Sequence, residues 1–418
     1  MNFVYPTLIG MFRASCRRSD SGIQAVRPTR ACAASKRALQ TLAVLALGLA
    51  AEARAVPIVH CVGTVQELRN AVAVSNNSEA AFDIRIRSGY YAFTADGTHT
   101  HALRFQRESH DYVDEAYRNF RVSGAWNTGC TQQAEVITAQ NSTVLDGQDV
   151  IGVFSFTGKT HWLPRTQVST VRVDRLQIAR GRSPYMDPLA ATSGCFDYRR
   201  NVANNPETGA RFAFEFDRVR FELCEHAGLV VQAHWGALVR NSFFLGNSGA
   251  RASAMNIQSD DGLARIYNNT LRNNVLTGNQ HSATVVLLGS PQKYFINNLI
   301  AENVHPPGAV MTDVLTNGTA VVRSNRLFSV VGDLGSNPIV FGNTTADPGF
   351  ANLWNARLGP NSPMRDAGFT GAPFPGVGTR DFDGNTRVQG AAVDIGAHEL
   401  PPASAPPSQD AVFRNGFE

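Results

Sequence analysis

Short runs of apolar residues recur along this chain at a near-constant interval, each interrupted by the same polar position. Six segments align: VRVDRLQI (171–178), FEFDRVRF (214–221), LVRNSFFL (238–245), IYNNTLRN (266–273), FINNLIAE (295–302) and VRSNRLFS (322–329). Their fourth position reads Asp174, Asp217, Asn241, Asn269, Asn298, Asn325. Three residues before it stand Val171, Phe214, Leu238, Ile266, Phe295 and Val322; two after it stand Leu176, Val219, Phe243, Leu271, Ile300 and Leu327. The steps between rows are 43, 24, 28, 29 and 27 residues. Such a period marks one supersecondary unit stacked on itself. The runs are short, partly alternating, and rich in β-branched and aromatic residues, which predicts strands. Leucine-rich repeats share the period but need leucine at fixed positions that are missing here. Second strands are predicted at LVVQA (229–233), AMNIQ (254–258), TVVLL (284–288) and AVMTD (309–313), with bends at GNSG (246–249), SDDG (259–262), TGN (277–279) and NPI (337–339).

Two or three strands per repeat joined by tight bends predict an all-β chain coiled as a right-handed parallel β-helix. Successive coils then lie about 4.8 Å apart, and equivalent positions stack. Asn241, Asn269, Asn298 and Asn325 are expected to form one ladder, because a buried amide both donates and accepts along the axis. Asparagine also tolerates the left-handed backbone of a bend. The first coil needs a cover. TVQELRNAVAV (64–74) supplies one: Thr64 and Glu67 make a capping box, and Leu68, Ala71 and Val72 form an apolar stripe. In DIRIRSGYYAF (83–93), Ile84 and Ile86 are expected to point inward, and NSTVLDGQ (141–148) reads as another early coil.

Charge changes the picture mainly at the start. Residues 1–55 hold eight Lys/Arg against two acids, leaving 30 basic and 32 acidic residues beyond them. A mature chain of net −2 offers no basic face for nucleic acid. The apolar run ALQTLAVLALGLA (38–50) after Lys36 and Arg37 is shorter than the roughly 20 residues of a membrane span. ARA (53–55) follows it, so 1–55 reads as an export signal cut after Ala55. A misassigned start and a transit peptide are the alternatives for residues 1–35. Cys16 and Cys32 leave with the leader. Cys61, Cys130, Cys195 and Cys224 remain, an even number that suggests two disulfides in an exported protein. Of three pairings, proximity along the chain favours Cys61–Cys130 with Cys195–Cys224; four buried thiols is the other reading.

The end of the chain carries a resemblance. DPGFANLWNARLGPNSPMRDAG (347–368) leads to DFDGNTRVQGAAVDIGAHE (381–399). This block resembles the C-terminal part of bacterial right-handed β-helix proteins of the choice-of-anchor Q type, through Asp347-Pro348, Leu358, Ser362-Pro363, Asp366-Ala367-Gly368, Asp383-Gly384, Arg387, Asp394-Ile395-Gly396-Ala397 and Glu399. SGAWNTGC (123–130) and the upstream coils are similar too. The resemblance implies a pectin-lyase-like fold, export, and a cell-surface or extracellular setting, and it implies no single reaction. The organisation expected is a leader (1–55), a β-helix (56–345), a C-terminal block completing it (346–400), and a Pro-rich linker and tail (401–418). The tail DAVFRNGFE (410–418) resembles a short recognition tail of some exported bacterial proteins.

Candidate chemistry is sparse. A β-helix lyase uses a basic residue near carboxylates that hold Ca²⁺, and a polygalacturonase-like hydrolase uses paired acids. QSDDGLARI (258–266) supplies Asp260 and Asp261 with Arg265, but neighbouring acids in a strand point opposite ways and DDG is an ordinary turn. Trp162 and Trp235, each after a histidine, are candidate sugar platforms. Asp381 and Asp383 of DFDG are candidate metal ligands, with ordering of the terminal turn as the plainer role. The insert 181–210, rich in Gly, Pro, Tyr and Arg, is a candidate groove wall. The expectation is a monomeric exported β-helix without a cofactor, non-catalytic, binding polysaccharide or another surface along its groove. The alternative is a lyase or hydrolase of acidic (uronate) polysaccharide.

Overall fold

The structure, a computed structural model, describes residues 56–402 apart from 79, 96–98, 109–118, 160–167, 183–193, 199–211, 234, 260, 279–280, 290–291, 353–354 and 372–376. The expectations placed on the leader, on Trp162, on Asp260, on most of the insert 181–210 and on the tail beyond 402 lie outside the described residues.

Three parallel sheets make the body. Sheet A runs Ile58–Val62, Phe82–Arg87, Phe120–Trp126, Ser169–Asp174, Phe212–Asp217, Gly236–Arg240, Ala264–Tyr267, Lys293–Ile296, Ala320–Arg323 and Ile339–Phe341. Sheet B runs Gly89–Ala92, Thr143–Asp146, Gln177–Ala179, Arg220–Glu222, Phe243–Leu245, Thr270–Arg272 and Leu299–Ala301. Sheet C runs His101–Glu108, Gly152–Lys159, Phe196–Tyr198, Leu229–Ala233, Ala252–Ser259, Ala283–Leu288, Val314–Thr316 and Val330–Gly332. Every strand pairs with its equivalent one coil later, and the chain passes A to B to C in each turn. This is the right-handed parallel β-helix that the repeat predicts. One inward column of sheet A is Ile84, Val122, Val173, Phe216, Val239, Ile266, Phe295, Val322. All eight are buried, and phenylalanines from sheets A and C interlock beside them in the middle coils, Phe196 against Phe216 at 4.9 Å. Helix α1, Val65–Asn76, covers the first coil with Leu68, Ala71 and Val72; Thr64 accepts from the Glu67 N–H, and Glu67 accepts from the Gly63 N–H at 2.6 Å.

The bends separate two tasks that the alignment merges. Between sheets A and B, one residue per coil is left-handed (Arg175, Arg218, Asn241, Asn268, Asn297, Ser324), and the next residue faces into the stack. In that second column, Asn269 donates to Asn298 (2.9 Å), Asn298 to Asn325 (3.2 Å) and Asn325 to Asn343 (2.9 Å), while each amide oxygen also takes the backbone N–H of the previous rung. Ser242, not Asn241, holds the equivalent place: its N–H donates to Asn269 and its hydroxyl accepts from Val219. The expected ladder is therefore corrected by one residue, because Asn241 follows Arg240 directly and takes the left-handed position. A second ladder, Asn247–Asn274–Asn303, runs along the bend after sheet B at 2.9 Å per step. AVMTD (309–313) is also corrected: the sheet C strand of that coil is Val314–Thr316.

The block 346–400, expected to complete the β-helix, adds no further strand to sheets A, B or C among its described residues. It folds back along the outside of sheet B and of the A–B bend. Phe243, Leu245, Leu299 and Ala301 point outward from sheet B and are buried beneath Phe382, Ala397, Leu358, Met364 and Ile395. The amides of the left-handed column fasten this strap: Asn241 donates to Val377 O, Asn268 to Asp394 O and Asn297 to Phe369 O, and Phe369 N–H returns a bond to Asn297. Its tip reaches early coils, where Ile137 N–H donates to Asp383 O. Disulfides join Cys61 to Cys130 and Cys195 to Cys224, each with Cα atoms 5.6 Å apart, as chain proximity favours. Among the described residues no helix is long and apolar enough to cross a membrane.

Candidate functional site

Alternation in a strand sends residues i and i+2 to one face, so the pattern that buries Val171 and Val173 turns Arg172 and Asp174 outward. Across sheet A this builds two adjoining outer columns. One reads Asp83, Arg121, Arg172, Glu215, Leu238, Arg265, Tyr294; the other reads Arg85, Ser123, Asp174, Asp217, Arg240, Tyr267. Arg323 continues the face near its end.

The charges are layered. Arg121 grips Asp174 with two hydrogen bonds of 2.8 Å, and Gln133 adds a third at 3.2 Å. Arg172 bridges Asp174 (3.4 Å) and Asp217 (3.8 Å), Arg240 meets Asp217 at 3.2 Å, and Arg85 meets Asp83 at 2.8 Å. The Asp174 side chain is 0% exposed, whereas those of Arg121 and Arg172 are 29% and 38% exposed. Asp174 and Asp217 thus lie at the floor with the guanidinium groups of Arg121 and Arg172 above them, while Glu215 is a half-buried carboxylate in the same outer column. Burial works against the Asp174 charge, yet the contacts with Arg121, Arg172 and Gln133 outweigh it and hold the carboxyl below the usual carboxylate range. Trp126 closes the early end beneath Arg85, whose guanidinium sits 4.5 Å from the ring centre.

Two borders flank this face. On the B side lies the strap, with Phe369 stacked under Arg323 at 3.4 Å and Val377 bonded to Asn241. On the C side lie the bends from sheet C to sheet A, which carry Trp235 and Asp261. Trp235 is 36% exposed there, and the backbone of Gly262 packs against its carbonyl. Arg265 stands on the face itself, half-buried, so the sequence candidates Trp235, Asp261 and Arg265 gather along one border. Lys293 is buried instead. Its ammonium donates to Gly289 O (2.5 Å) and Asn317 O (2.8 Å), and burial pulls its pKa down to about 8.

Asp381 and Asp383 sit in the strap, not on this face. Together with His398 they bring ligand atoms within 4.8 Å of one another. Asp383 is held by Arg357 at 2.5 and 2.6 Å, and Asp381 accepts the N–H groups of Asn385 (2.7 Å) and Glu399 (3.0 Å). Those bonds order the terminal turns. Arg121, Arg172, Asp174 and Asp217 are missing from the sequence candidates, although the i, i+2 spacing of Arg172 and Asp174 was the available signal. Comparison with family models, with curated proteins and with solved structures found no match.

Proposed function

We propose that this is an exported, non-catalytic β-helix protein of the choice-of-anchor Q type that binds acidic polysaccharide along the outer face of sheet A. The observation that carries the reading is the layering of that face, where six of the eight coils from Arg85 to Arg323 place an arginine in the two outer columns. From Arg85 to Arg323 the array crosses seven rung steps, roughly 34 Å at the usual strand spacing. A row of partly exposed arginines suits a polymer bearing a carboxylate or sulfate on its sugars, and Trp235 at the border suits a sugar ring. The two disulfides support an oxidising setting outside the cytoplasm. Catalysis is disfavoured because Asp83, Asp174 and Asp217 are all engaged by arginine, which leaves Glu215 as a single acid in the two columns and not a pair. A glycosidase needs one protonated acid and one free base, and Asp174 is held ionised.

Affinity electrophoresis in gels containing polygalacturonate, alginate or neutral dextran tests this reading. Retardation is expected in the acidic gels only, falling with salt, and weakened about 5- to 10-fold in Arg172→Ala, the loss of one partly desolvated charge contact. Absence of retardation in every gel supports a purely structural envelope component. Unsaturated product at 235 nm or new reducing ends, with or without Ca²⁺, supports the lyase or hydrolase instead.

A further inference from the structure

The outer face of sheet A does not carry its arginines evenly. Arg85, Arg121 and Arg172 stand on successive rungs, the next rung has none, Arg240 and Arg265 follow, the Tyr294 rung has none, and Arg323 comes after it. The first interruption, strand Phe212–Asp217, differs in sign as well as in number. Its outward side chains are Glu215 and Asp217. Asp217 is engaged by Arg172 (3.8 Å) and Arg240 (3.2 Å). Glu215 is not. Its column neighbours are Arg172 on one side and Leu238 on the other, and Arg172 leans away to Asp174 and Asp217. Among the described residues no hydrogen bond or ion pair holds the Glu215 side chain. Glu215 and Leu238 are both half-buried, and Trp235, 36% exposed, borders the Leu238 coil.

On the reading that this face binds acidic polysaccharide, we infer that Glu215 and Leu238 form a subsite for an uncharged sugar, and that the polymer is one in which uncharged sugars separate the acidic ones. A carboxylate without a partner accepts hydrogen bonds and repels anions. Arg172 and Arg240 lie two rung steps apart, roughly 10 Å, with Glu215 on the rung between them. A single sugar is shorter than that gap. A polymer with an anion on every sugar therefore crosses it only by bringing a carboxylate or sulfate over Glu215. An uncharged sugar in that place donates a hydroxyl or an amide N–H to Glu215 instead, a charge-assisted bond. Its apolar ring face or acetyl methyl covers Leu238, which an anion would leave uncompensated, and Trp235 at the same border offers a ring surface. Acidic sugars on either side then meet the guanidinium groups of Arg172 and Arg240. The Tyr294 rung, between Arg265 and Arg323, is a second interruption that offers a ring in place of a charge. Glu215 is thus a specificity-determining residue, acting by exclusion as much as by attraction.

Titration calorimetry at one fixed salt concentration tests this, with size-matched oligosaccharides of two polymers. In hyaluronate an N-acetylated sugar separates the uronates; in polygalacturonate every sugar is charged. Charge density alone ranks polygalacturonate first. The wild-type protein is expected to reverse that order and to bind hyaluronate roughly 10-fold more tightly, the effect of one like-charge contact avoided. Glu215→Gln should tighten polygalacturonate binding roughly 10-fold and leave hyaluronate binding no tighter, so that the preference collapses. Leu238→Arg, which gives Glu215 a partner, should narrow the preference in the same way, and serves as the second variant should Glu215→Gln lose the wild-type far-ultraviolet spectrum. Equal or unreversed affinities in the wild-type protein overturn the inference and leave the acidic-polysaccharide reading standing. So does a Glu215→Gln protein that binds both polymers more tightly by the same factor, since Glu215 would then act through net charge alone. Binding of neither polymer overturns the reading itself, and the subsite falls with it.

Discussion

The doublets Asn268-Asn269 and Asn297-Asn298 show how much one residue of register decides. The first member sits at a left-handed φ of 52° and 58° and sends its amide out to the strap; the second turns in and joins the ladder. Truncating Asn298 removes bonds to Ile266 O, Asn325, Asn269 and the Asn269 N–H inside a fully buried column. Asn298→Ala should cost about 2–4 kcal/mol, seen as a lower denaturant midpoint, because several buried partners go unsatisfied at once. Asn297→Gly keeps the backbone conformation and loses only the strap bonds. It should cost about 1 kcal/mol and show itself as faster proteolysis within 347–400. The repeat and the amides were legible in the sequence. The division of labour was not, since the row LVRNSFFL offers one asparagine for two columns and nothing in the letters says which column it fills.

At the scale of the element, strap and arginine face respond to pH in opposite senses. Burial raises the Glu399 carboxyl from 4.5 to about 8, with Arg387 opposing and Asp394 adding to the rise. Asp381 and Asp394 are raised as well, chiefly by burial. An acid whose folded pKa exceeds its unfolded one keeps its proton longer when folded. Its contribution is therefore complete below about 4.5 and is lost as pH climbs to about 8. Asp174 is the reverse: its folded pKa is depressed, so its contribution holds above the unfolded carboxylate value of 3.8 and is lost as pH falls through the folded one. The thermal midpoint should fall between pH 5 and 8, and Glu399→Gln should flatten that decline while leaving the acid limb in place. Differential scanning calorimetry across pH checks both arms. Of the two DFDG acids, Asp381 accepts backbone N–H groups from Asn385 and Glu399, whereas Asp383 pairs with Arg357, a partner that the local sequence does not indicate. The strap's path along the outside of sheet B was not legible, because Phe243 and Leu245 read equally well as core.

For the molecule as a whole, two disulfides join positions 69 and 29 residues apart. Replacing each pair by serine should lower stability by about 4.5 and 3.5 kcal/mol respectively on loop length, measured as denaturant midpoints against the oxidised protein. The coiled architecture was the most legible property of all. A period of that length, kept over several rows of inward-facing Val, Ile, Leu and Phe, admits few ways to bury its apolar positions. What repeats do not encode is how the stack ends. Helix α1 announces itself through Thr64 and Glu67, whereas the bare Val340 differs from the buried Val322 only in having no coil beyond it.

The strap also bears on how the protein meets force. A plain coil of this kind is a row of neighbours, and tension on its last turn peels it one turn at a time. Here the polypeptide leaving the last turn is pinned by Asn297 and then Asn241, touches Ile137 near the beginning, and comes back to Asn268. Tension applied beyond Leu400 is thus spread over many coils, and must first strip the outer layer before any single turn can open.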